Sequence, residues 1–399
     1  MKIAILQVKN RNNSISIGAS VLIDELQRNR YNVDICTYKT AFQYTHVLVS
    51  MTATDDIYDI FLQCHKNNWQ NRNFTAFVGG FGCQNPIALS DFIDYAFFGR
   101  ADGVIVDFLQ NPEKYNDYSF ALKNPHKITV RQVEKLYPYS IIYGANKTRW
   151  TEKFIGCPYK CKFCHYSHNR NYIGNGNYIN NGLSTGSPEI MLKDICKLTE
   201  KLGRLTAALD GYSERLRFMY GKKITWQMLE EAMDTLASFK GNTYFKLYNI
   251  CNFPTETETD EQEFIDFWKE YTGCSKKADG IVKVDVFNTA FRPSLNTPME
   301  LMPVRLYPDA RKENPDIVSK NGFIIKYTHL AKGAKEHLKD VISIRYEDAE
   351  HIRRISLHND FEFDLTNYLR EYSEDEELKF KYIKKRPAKP GRKVLKHDG

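Results

Sequence analysis

The stretch Phe154 to His168, FIGCPYKCKFCHYSH, decides how the rest of the chain is read. Cys157, Cys161 and Cys164 form a CxxxCxxC triplet, with Phe163 directly before the last cysteine. That spacing lets one tight loop present three thiolates to a cubane iron–sulfur cluster. Ferredoxins that only carry electrons close every iron with cysteine, so a fourth iron without a protein ligand takes its ligand from elsewhere and is open to chemistry. Two other readings of the same residues stand beside this one. The three cysteines with His168 make a ligand set that zinc accepts. Three metal-free thiols would have to sit in a loop that carries Lys160 and Lys162, a polar setting foreign to inert cysteines.

Outward from the triplet, the composition sets bounds. The chain has 399 residues, enough for two domains with separate cores. Its nine cysteines are odd in number and scattered apart from the triplet, so they do not read as a disulfide framework. A cluster also favours a reducing compartment. No apolar run approaches the roughly 18 residues of a membrane span, and Lys9, Asn10 and Arg11 follow the first apolar segment at once. The expectation is a cytoplasmic protein without a membrane anchor. The net charge of +7 is concentrated at the end: residues 379–399 hold nine Lys or Arg against one Asp, which leaves the preceding chain near −1. That basic tail reads either as solvated, disordered charge or as an arm for phosphate backbones of nucleic acid.

Upstream of the triplet, residues 1–111 alternate short apolar strands with amphipathic helices. Ile3 to Val8, Val33 to Tyr38, His46 to Met51, Phe74 to Val78 and Tyr95 to Phe98 are strand-like, and Ile17 to Leu26 has helical spacing. This alternation predicts a doubly wound parallel sheet, which binds ligands beyond the carboxyl ends of its strands. Three of those ends are small or polar: Thr52, Ala53 and Thr54, then Gly79 and Gly80, then Gly99. Glycine in such places makes turns, and it also lets a large ligand approach the backbone. Residues 112–149, with Pro112, Pro125 and Pro138 among several tyrosines, read as a connecting segment.

Downstream, residues 150–330 resume the alternation with longer units, as a partial (β/α)6 barrel requires. A glycine- and asparagine-rich insertion, NYIGNGNYINNGLSTGS, is too polar for core and reads as a substrate-facing or lid loop. Leu205 to Leu209 runs into Asp210-Gly211-Tyr212-Ser213-Glu214, where Ser213 is also a natural helix N-cap. Tyr244 to Ile250 meets Cys251-Asn252-Phe253-Pro254-Thr255-Glu256-Thr257, and Glu256 there could equally favour the start of the following helix. Ile281 to Phe287 leads into Asn288-Thr289-Ala290-Phe291-Arg292-Pro293, in which Arg292 is the charged residue able to meet a carboxylate or phosphate. Residues 331–378 alternate charged and apolar residues and read as a C-terminal α/β region without visible chemistry.

The CxxxCxxC loop with its aromatic residue, directly after a short strand, resembles the signature of the radical S-adenosylmethionine superfamily. The resemblance implies a [4Fe-4S] cluster on Cys157, Cys161 and Cys164 that reductively cleaves S-adenosylmethionine to a 5′-deoxyadenosyl radical. It implies S-adenosylmethionine contacts at Phe163, Asp210, Gly211, Ser213, Glu214 and Glu256, substrate contact at Arg292, and an external one-electron reductant such as flavodoxin or ferredoxin. The CNFPTET turn resembles the family's Gly-Leu-Pro-Gly-Glu-Thr, with Asn252 and Thr255 in place of both glycines, which implies a more restricted backbone path. FVGGFGCQNP and DYAFFGRADG, upstream of the cluster loop, resemble the cobalamin-binding domain of one class of the superfamily. That likeness implies a Rossmann-like, cobalamin-binding-type domain whose ligand lies along Thr52, Thr54, Gly79, Gly80 and Gly99. Arg100 and Ala101 stand where acidic residues are usual, and KNRNNSIS lacks the Asp-x-His-x-x-Gly that would give an axial histidine. Either cobalamin binds without that histidine, or the domain has lost it. The implied activity is methyl transfer to an unactivated carbon; a rearrangement or other radical modification, on a nucleic acid for instance, and a zinc-stabilised nucleic-acid-binding protein are the alternatives.

Overall fold

The computed structural model describes residues 1–8, 15–83, 86–115, 118–119, 127–131, 137–143, 148–152, 154–155, 159–164, 173–174, 192–199, 204–274, 278–294, 297–299, 302 and 316–329. Cys157, His168, most of the polar insertion, the region 331–378 and the basic tail lie outside these residues.

Strand β1 (Ile3–Gln7) reads IAILQ, and its alternate positions face opposite sides: Ile3 and Ile5 join one buried cluster, Ala4 and Leu6 another. Two cores on one strand demand cover on both faces. Helix α1 (Ile17–Arg28) and helix α3 (Ile105–Gln110) cover the first face through Ala19, Leu26, Ile105 and Phe108. Helix α2 (Asp56–Lys66) covers the second through Ile57, Ile60, Phe61 and Cys64. Ser16 caps α1 by accepting the Ala19 N–H at 3.2 Å.

The sheet contains β2 (Val33–Cys36), β3 (His46–Ser50), β4 (Thr75–Gly79), β5 (Tyr95–Gly99), β6 (Tyr118–Ser119) and β7 (Lys127–Arg131) besides β1, in the order β2-β1-β3-β4-β5-β7-β6. All neighbours are parallel except the β6–β7 edge pair. The 2-1-3-4-5 run is a doubly wound order, as the sequence pattern predicts. Strand β7 comes from the stretch read as connection: KITVR carries three consecutive β-branched residues, a strand preference that outweighs the flanking prolines.

A hairpin of β8 (Ser140–Tyr143) and β9 (Thr148–Thr151) follows and lies on α1, where Tyr137 and Ile141 pack with Val21. Strand β10 (Phe154–Ile155) enters the cysteine loop and pairs antiparallel with β11 (Ile173–Gly174).

The second sheet has β12 (Arg204–Ala208), β13 (Thr243–Cys251), β14 (Val282–Ala290), β15 (Asp316–Lys320) and β16 (Phe323–His329), ordered β12-β13-β14-β16-β15. Its first four strands in that order are parallel and β15 is an antiparallel edge. Among the described residues the sheet is thus four parallel strands with a reversed edge, where six barrel strands are expected from the sequence. The reversal comes from Asn321 and Gly322, both at positive φ (55° and 87°), the Asn-Gly pair that favours a two-residue hairpin. Besides α4 (Leu192–Ile195) and α5 (Glu214–Met219), this half carries α6 (Trp226–Ala237) and α7 (Glu258–Gly273). Leu229, Met233, Phe264 and Trp268 of α6 and α7 pack against Phe245, Leu247, Val284 and Val286 on one face of the sheet.

Candidate active site

The cysteine loop sits on the carboxyl ends of the second sheet. The Cys164 N–H donates to the Cys161 carbonyl at 3.0 Å, closing a turn with a thiol at each end. The Lys162 N–H donates to the Tyr220 carbonyl at 2.8 Å, and the Lys162 carbonyl accepts from the Met299 N–H at 3.2 Å. Gly221, at φ 83°, passes so close that a Cβ there would lie 3.0 Å from the Lys160 carbonyl oxygen. Cys161 and Phe163 are buried with Leu216, Tyr220, Phe253, Phe291 and Met299, and Cys164 is half-buried. Among the described residues no group of three or more His, Cys, Asp or Glu side chains could hold a metal, and Cys157 is outside them. The pair that is described fits a cluster ligand set: two thiols three residues apart on one braced turn, with no disulfide joining them.

The Asp210 turn follows β12 at the same end. Asp210 and Gly211 both have positive φ, 56° and 133°, which suits a small polar residue followed by glycine. The Asp210 carboxylate meets the Lys222 ammonium at 2.6 Å, and that ammonium lies 5.7 Å from the Tyr159 ring of the cysteine loop. The Gly211 N–H donates to Asn249 Oδ1 at 2.7 Å, and Asn249 Nδ2 donates to Asn288 Oδ1 at 2.9 Å, which ties the ends of β12, β13 and β14 together. Arg217 is fully buried, donating to the carbonyls of Gly211 (3.0 Å), Tyr212 (3.3 Å) and Ile224 (2.8 Å) with its guanidinium 4.1 Å over Trp226. Burial pushes its pKa down to about 10.

Ser213 and Glu214 have structural partners. Ser213 Oγ accepts the Leu216 N–H at 3.2 Å as the α5 N-cap and donates to Asp260. The Glu214 carboxylate accepts the Trp226 N–H. Burial alone would raise the Asp260 pKa, but hydrogen bonds from Arg215, Ser213 and Thr257 hold it below the usual carboxylate range.

Asn252 lies at φ 63°, so asparagine keeps the left-handed path that glycine would allow. The more restricted backbone expected from the missing glycine is not what the structure shows at this residue. Glu256 Oε1 accepts the Asn252 N–H at 2.9 Å, and burial pushes its carboxyl up to about 7. The helix start itself is served by Asp260, which accepts the Thr257 N–H and hydroxyl at 2.8 Å each.

In the first sheet, Asp56 Oδ2 gathers the turn after β3, accepting the Thr52 N–H (2.9 Å), the Thr52 hydroxyl (3.1 Å) and the Ala53 N–H (2.9 Å). A Cβ on Gly79 would find ordinary room, 3.4 Å from the Phe97 carbonyl. Gly80 differs: at φ 107°, its Cβ would lie 2.3 Å from the Met51 carbonyl oxygen, and a Cβ on Gly82 would lie 2.2 Å from that of Ala53. The Gly82 N–H also donates to the Met51 carbonyl at 3.2 Å. The requirement for glycine after β4 therefore comes from the neighbouring turn. Gly99 ends β5 opposite Arg131 of β7.

Two contacts between described residues join the halves. Arg292, just beyond β14, donates from Nη1 to the buried hydroxyl of Thr54, just beyond β3, at 2.8 Å. Arg100, beyond β5, pairs with Asp102 at 2.6 Å and with the buried Glu152, whose other oxygen accepts the Tyr137 N–H at 2.6 Å. The structure thus brings Thr54 and Arg292, expected to serve different ligands, into direct contact. Sequence reasoning missed Lys222, Arg217, Asn249, Asn288 and Asp260. The asparagines had a signal: each ends an apolar series of alternate residues, Phe245-Leu247-Asn249 and Val284-Val286-Asn288. No helix among the described residues is long and apolar enough to cross a membrane.

No protein-family model matches the chain, and no curated protein matches it. Two solved structures of the cobalamin-dependent S-adenosylmethionine radical enzyme OxsB are similar to it, one with aqua-cobalamin bound and one with aqua-cobalamin and S-adenosylmethionine bound. Each is 11% identical with a TM-score of 0.27, over 93% of this chain and 56% of the other. The chain spans little more than half the length of those structures.

Proposed function

We propose that this chain is a radical S-adenosylmethionine enzyme with a cobalamin-binding-type first domain, acting as a methyltransferase at an unactivated carbon. The observation that carries the reading is the meeting of two strand-end regions: the turn after β3 touches the segment after β14 through Thr54 and Arg292, on the side of the second sheet where the cysteine loop docks. In doubly wound sheets that is the side where ligands bind. In this reading a cluster on Cys157, Cys161 and Cys164 supplies the electron that cleaves S-adenosylmethionine, and cobalamin carries the methyl group. The protein's own part is positioning and exclusion of water. Phe163, with Phe253 and Phe291, keeps the floor of the cysteine loop apolar, and Gly211, Asn249 and Asn288 fix the strand ends beside it. Asp210 offers a carboxylate already balanced by Lys222, so a ligand ammonium there shares it with a resident one.

One observation favours a second reading, radical chemistry without cobalamin. The space beside Gly80 and Gly82 is filled by the backbone of Met51 and Ala53. Anaerobic reconstitution with iron and sulfide, with cobalamin offered, tests both. Near-equal iron and sulfide with a bound corrin is the expected result. Cluster and S-adenosylmethionine cleavage without corrin would leave the second reading, and zinc without sulfide would overturn both. In either radical reading the electron comes from an external reductant such as flavodoxin or ferredoxin.

A further inference from the structure

The face of the second sheet away from α6 and α7 is unlike the opposite face. A parallel sheet within an α/β unit is ordinarily apolar on both sides. One side here is: Phe245, Leu247, Val284, Val286 and Ile325 are buried under the helices. On the other side the alternate residues of β13 are Tyr244, Lys246, Tyr248 and Ile250, and those of β14 are Lys283, Asp285 and Phe287. In-register pairing lays these out as rows, Tyr244 beside Lys283, Lys246 beside Asp285 and then Lys326 of β16, and Tyr248 beside Phe287. Three lysines and Asp285 therefore share one face with three aromatic rings, and Asp316 of the edge strand β15 closes the row opposite Lys326.

The lysines are not ordinary surface charges, because all three are half-buried where lysine is usually exposed. The Lys246 ammonium lies 3.9 Å from the Phe287 ring centroid and 4.4 Å from that of Tyr248. The Lys283 ammonium lies 5.5 Å from the Tyr244 ring. Asp285 accepts the Tyr244 hydroxyl, and Asp316 of β15 stands opposite Lys326 at the edge of the same row. Among the described residues, Lys246 and Lys283 thus place two positive charges, with Asp285 between them in register, beside flat apolar surface. Its upper end reaches the cysteine loop, since Ile250 packs against the cluster of Cys161 and Phe163. Four residues separate Lys246 from Ile250, about 13 Å at strand rise.

The geometry points to this face as the binding surface for an anionic ligand, one that joins a phosphate or carboxylate to a planar apolar group. Lys246, with Lys283, takes the anion, and Tyr248 and Phe287 take the planar part. Calling that ligand the substrate rests on the proposed function; the anion site itself does not. A substrate held there has its anion roughly 13 Å below the cysteine loop and must extend that far to bring a reacting carbon to it.

Equilibrium dialysis of the full chain at low salt with phenyl phosphate, benzoate and inorganic phosphate tests this. Phenyl phosphate or benzoate should bind saturably and more tightly than inorganic phosphate. Lys246→Met should weaken that binding about tenfold, Phe287→Leu should narrow the gap between phenyl phosphate and inorganic phosphate, and Lys246→Arg should keep most of the affinity. Which of the two aryl anions wins distinguishes phosphate from carboxylate. No saturable binding of either in the millimolar range, or equal binding by folded wild type and Lys246→Met, would overturn the site. Circular dichroism melting of each variant gives the fold control. Because none of these measurements needs a cluster, a failure here is separable from failed iron and sulfide loading, which would count against the radical chemistry alone.

Discussion

The two strand-end regions of this chain are built by different means. After β3 and β4 the first sheet is closed mainly by main chain on main chain, with Gly80 and Gly82 against the carbonyls of Met51 and Ala53 and the Asp56 carboxylate holding the Thr52–Ala53 turn. After β12, β13 and β14 the second is closed by side chains, through the Asn249–Asn288 pair, the Asp210–Lys222 ion pair and the buried Arg217. Backbone contacts cannot be re-tuned by mutation without moving the chain, whereas side-chain contacts can be exchanged one at a time. The first region is therefore a rigid wall, and specificity is expected to reside in the second.

The largest effect should come from the cysteine loop, which belongs to the side-chain region. If the proposed function holds, replacing Cys157, Cys161 or Cys164 singly with Ala should abolish cluster assembly and S-adenosylmethionine cleavage, because each thiolate would be one bond to the same cubane. The fold should survive, since the Lys162 N–H to Tyr220 and Met299 to Lys162 contacts are main chain. Iron and sulfide analysis with a thermal melt checks this; normal iron in any of the three variants would remove the assignment.

Next in size is the wall itself. Gly82→Ala or Gly80→Ala should cost about 3 kcal/mol or more, because a Cβ at 2.2 or 2.3 Å from a carbonyl oxygen forces the β3 and β4 turns apart. Gly79→Ala, with 3.4 Å of room, should be far milder. Urea unfolding of the three proteins measures the contrast, and a Gly82→Ala protein as stable as Gly79→Ala would break the distinction between the regions. Bulky replacement of Gly80 is a poor probe of cobalamin for the same reason.

The parts of this picture that were legible in the sequence are those set by local spacing. The cysteine triplet, the apolar strands and the glycines at strand ends all follow from residues close in sequence. The Asn-Gly hairpin at residues 321–322 and the strand KITVR between its prolines are equally local signals. What could not be read is pairing at a distance. Asp260 caps its own helix with a signal visible in sequence, yet its contact with Ser213 spans 47 residues. Gly80 reads in sequence as room for a ligand because nothing local says that the Met51 backbone fills it. Nothing in the local spacing of α5 marks Arg217 as the residue that the fold buries.

A smaller effect, in the side-chain region, depends on pH. Burial raises the Glu256 carboxyl to about 7, above the ordinary carboxylate value. A raised carboxyl binds its proton more tightly in the folded state than in the unfolded one. Its contribution is complete below the ordinary pKa and is lost as pH rises from about 4.5 through about 7. Wild-type Tm should accordingly fall between pH 5 and 8 more than that of Glu256→Gln, which keeps the Asn252 N–H acceptor without the titration. Parallel pH profiles of Tm would discard this assignment of the titrating group.

The smallest effect concerns the contact that joins the two regions. Arg292 donates a charge-assisted hydrogen bond to Thr54 across the halves, with Thr54 buried and Arg292 half-buried. Such a bond contributes about 1.5–3 kcal/mol net when buried and less at a half-buried guanidinium, so Thr54→Val and Arg292→Gln should each lower stability by about 1–2 kcal/mol. Their double mutant should lose less than the sum, with a coupling of roughly 1 kcal/mol. If Arg292 instead served mainly a substrate, as the sequence alone suggests, the pair would show no coupling in stability and Arg292→Gln would act on substrate affinity alone. A double-mutant cycle by urea unfolding decides between them. Coupling makes Arg292 the residue that fixes how the rigid wall of the first sheet faces the adjustable end of the second, and binding measurements on Thr54→Val then report how far that alignment governs the site.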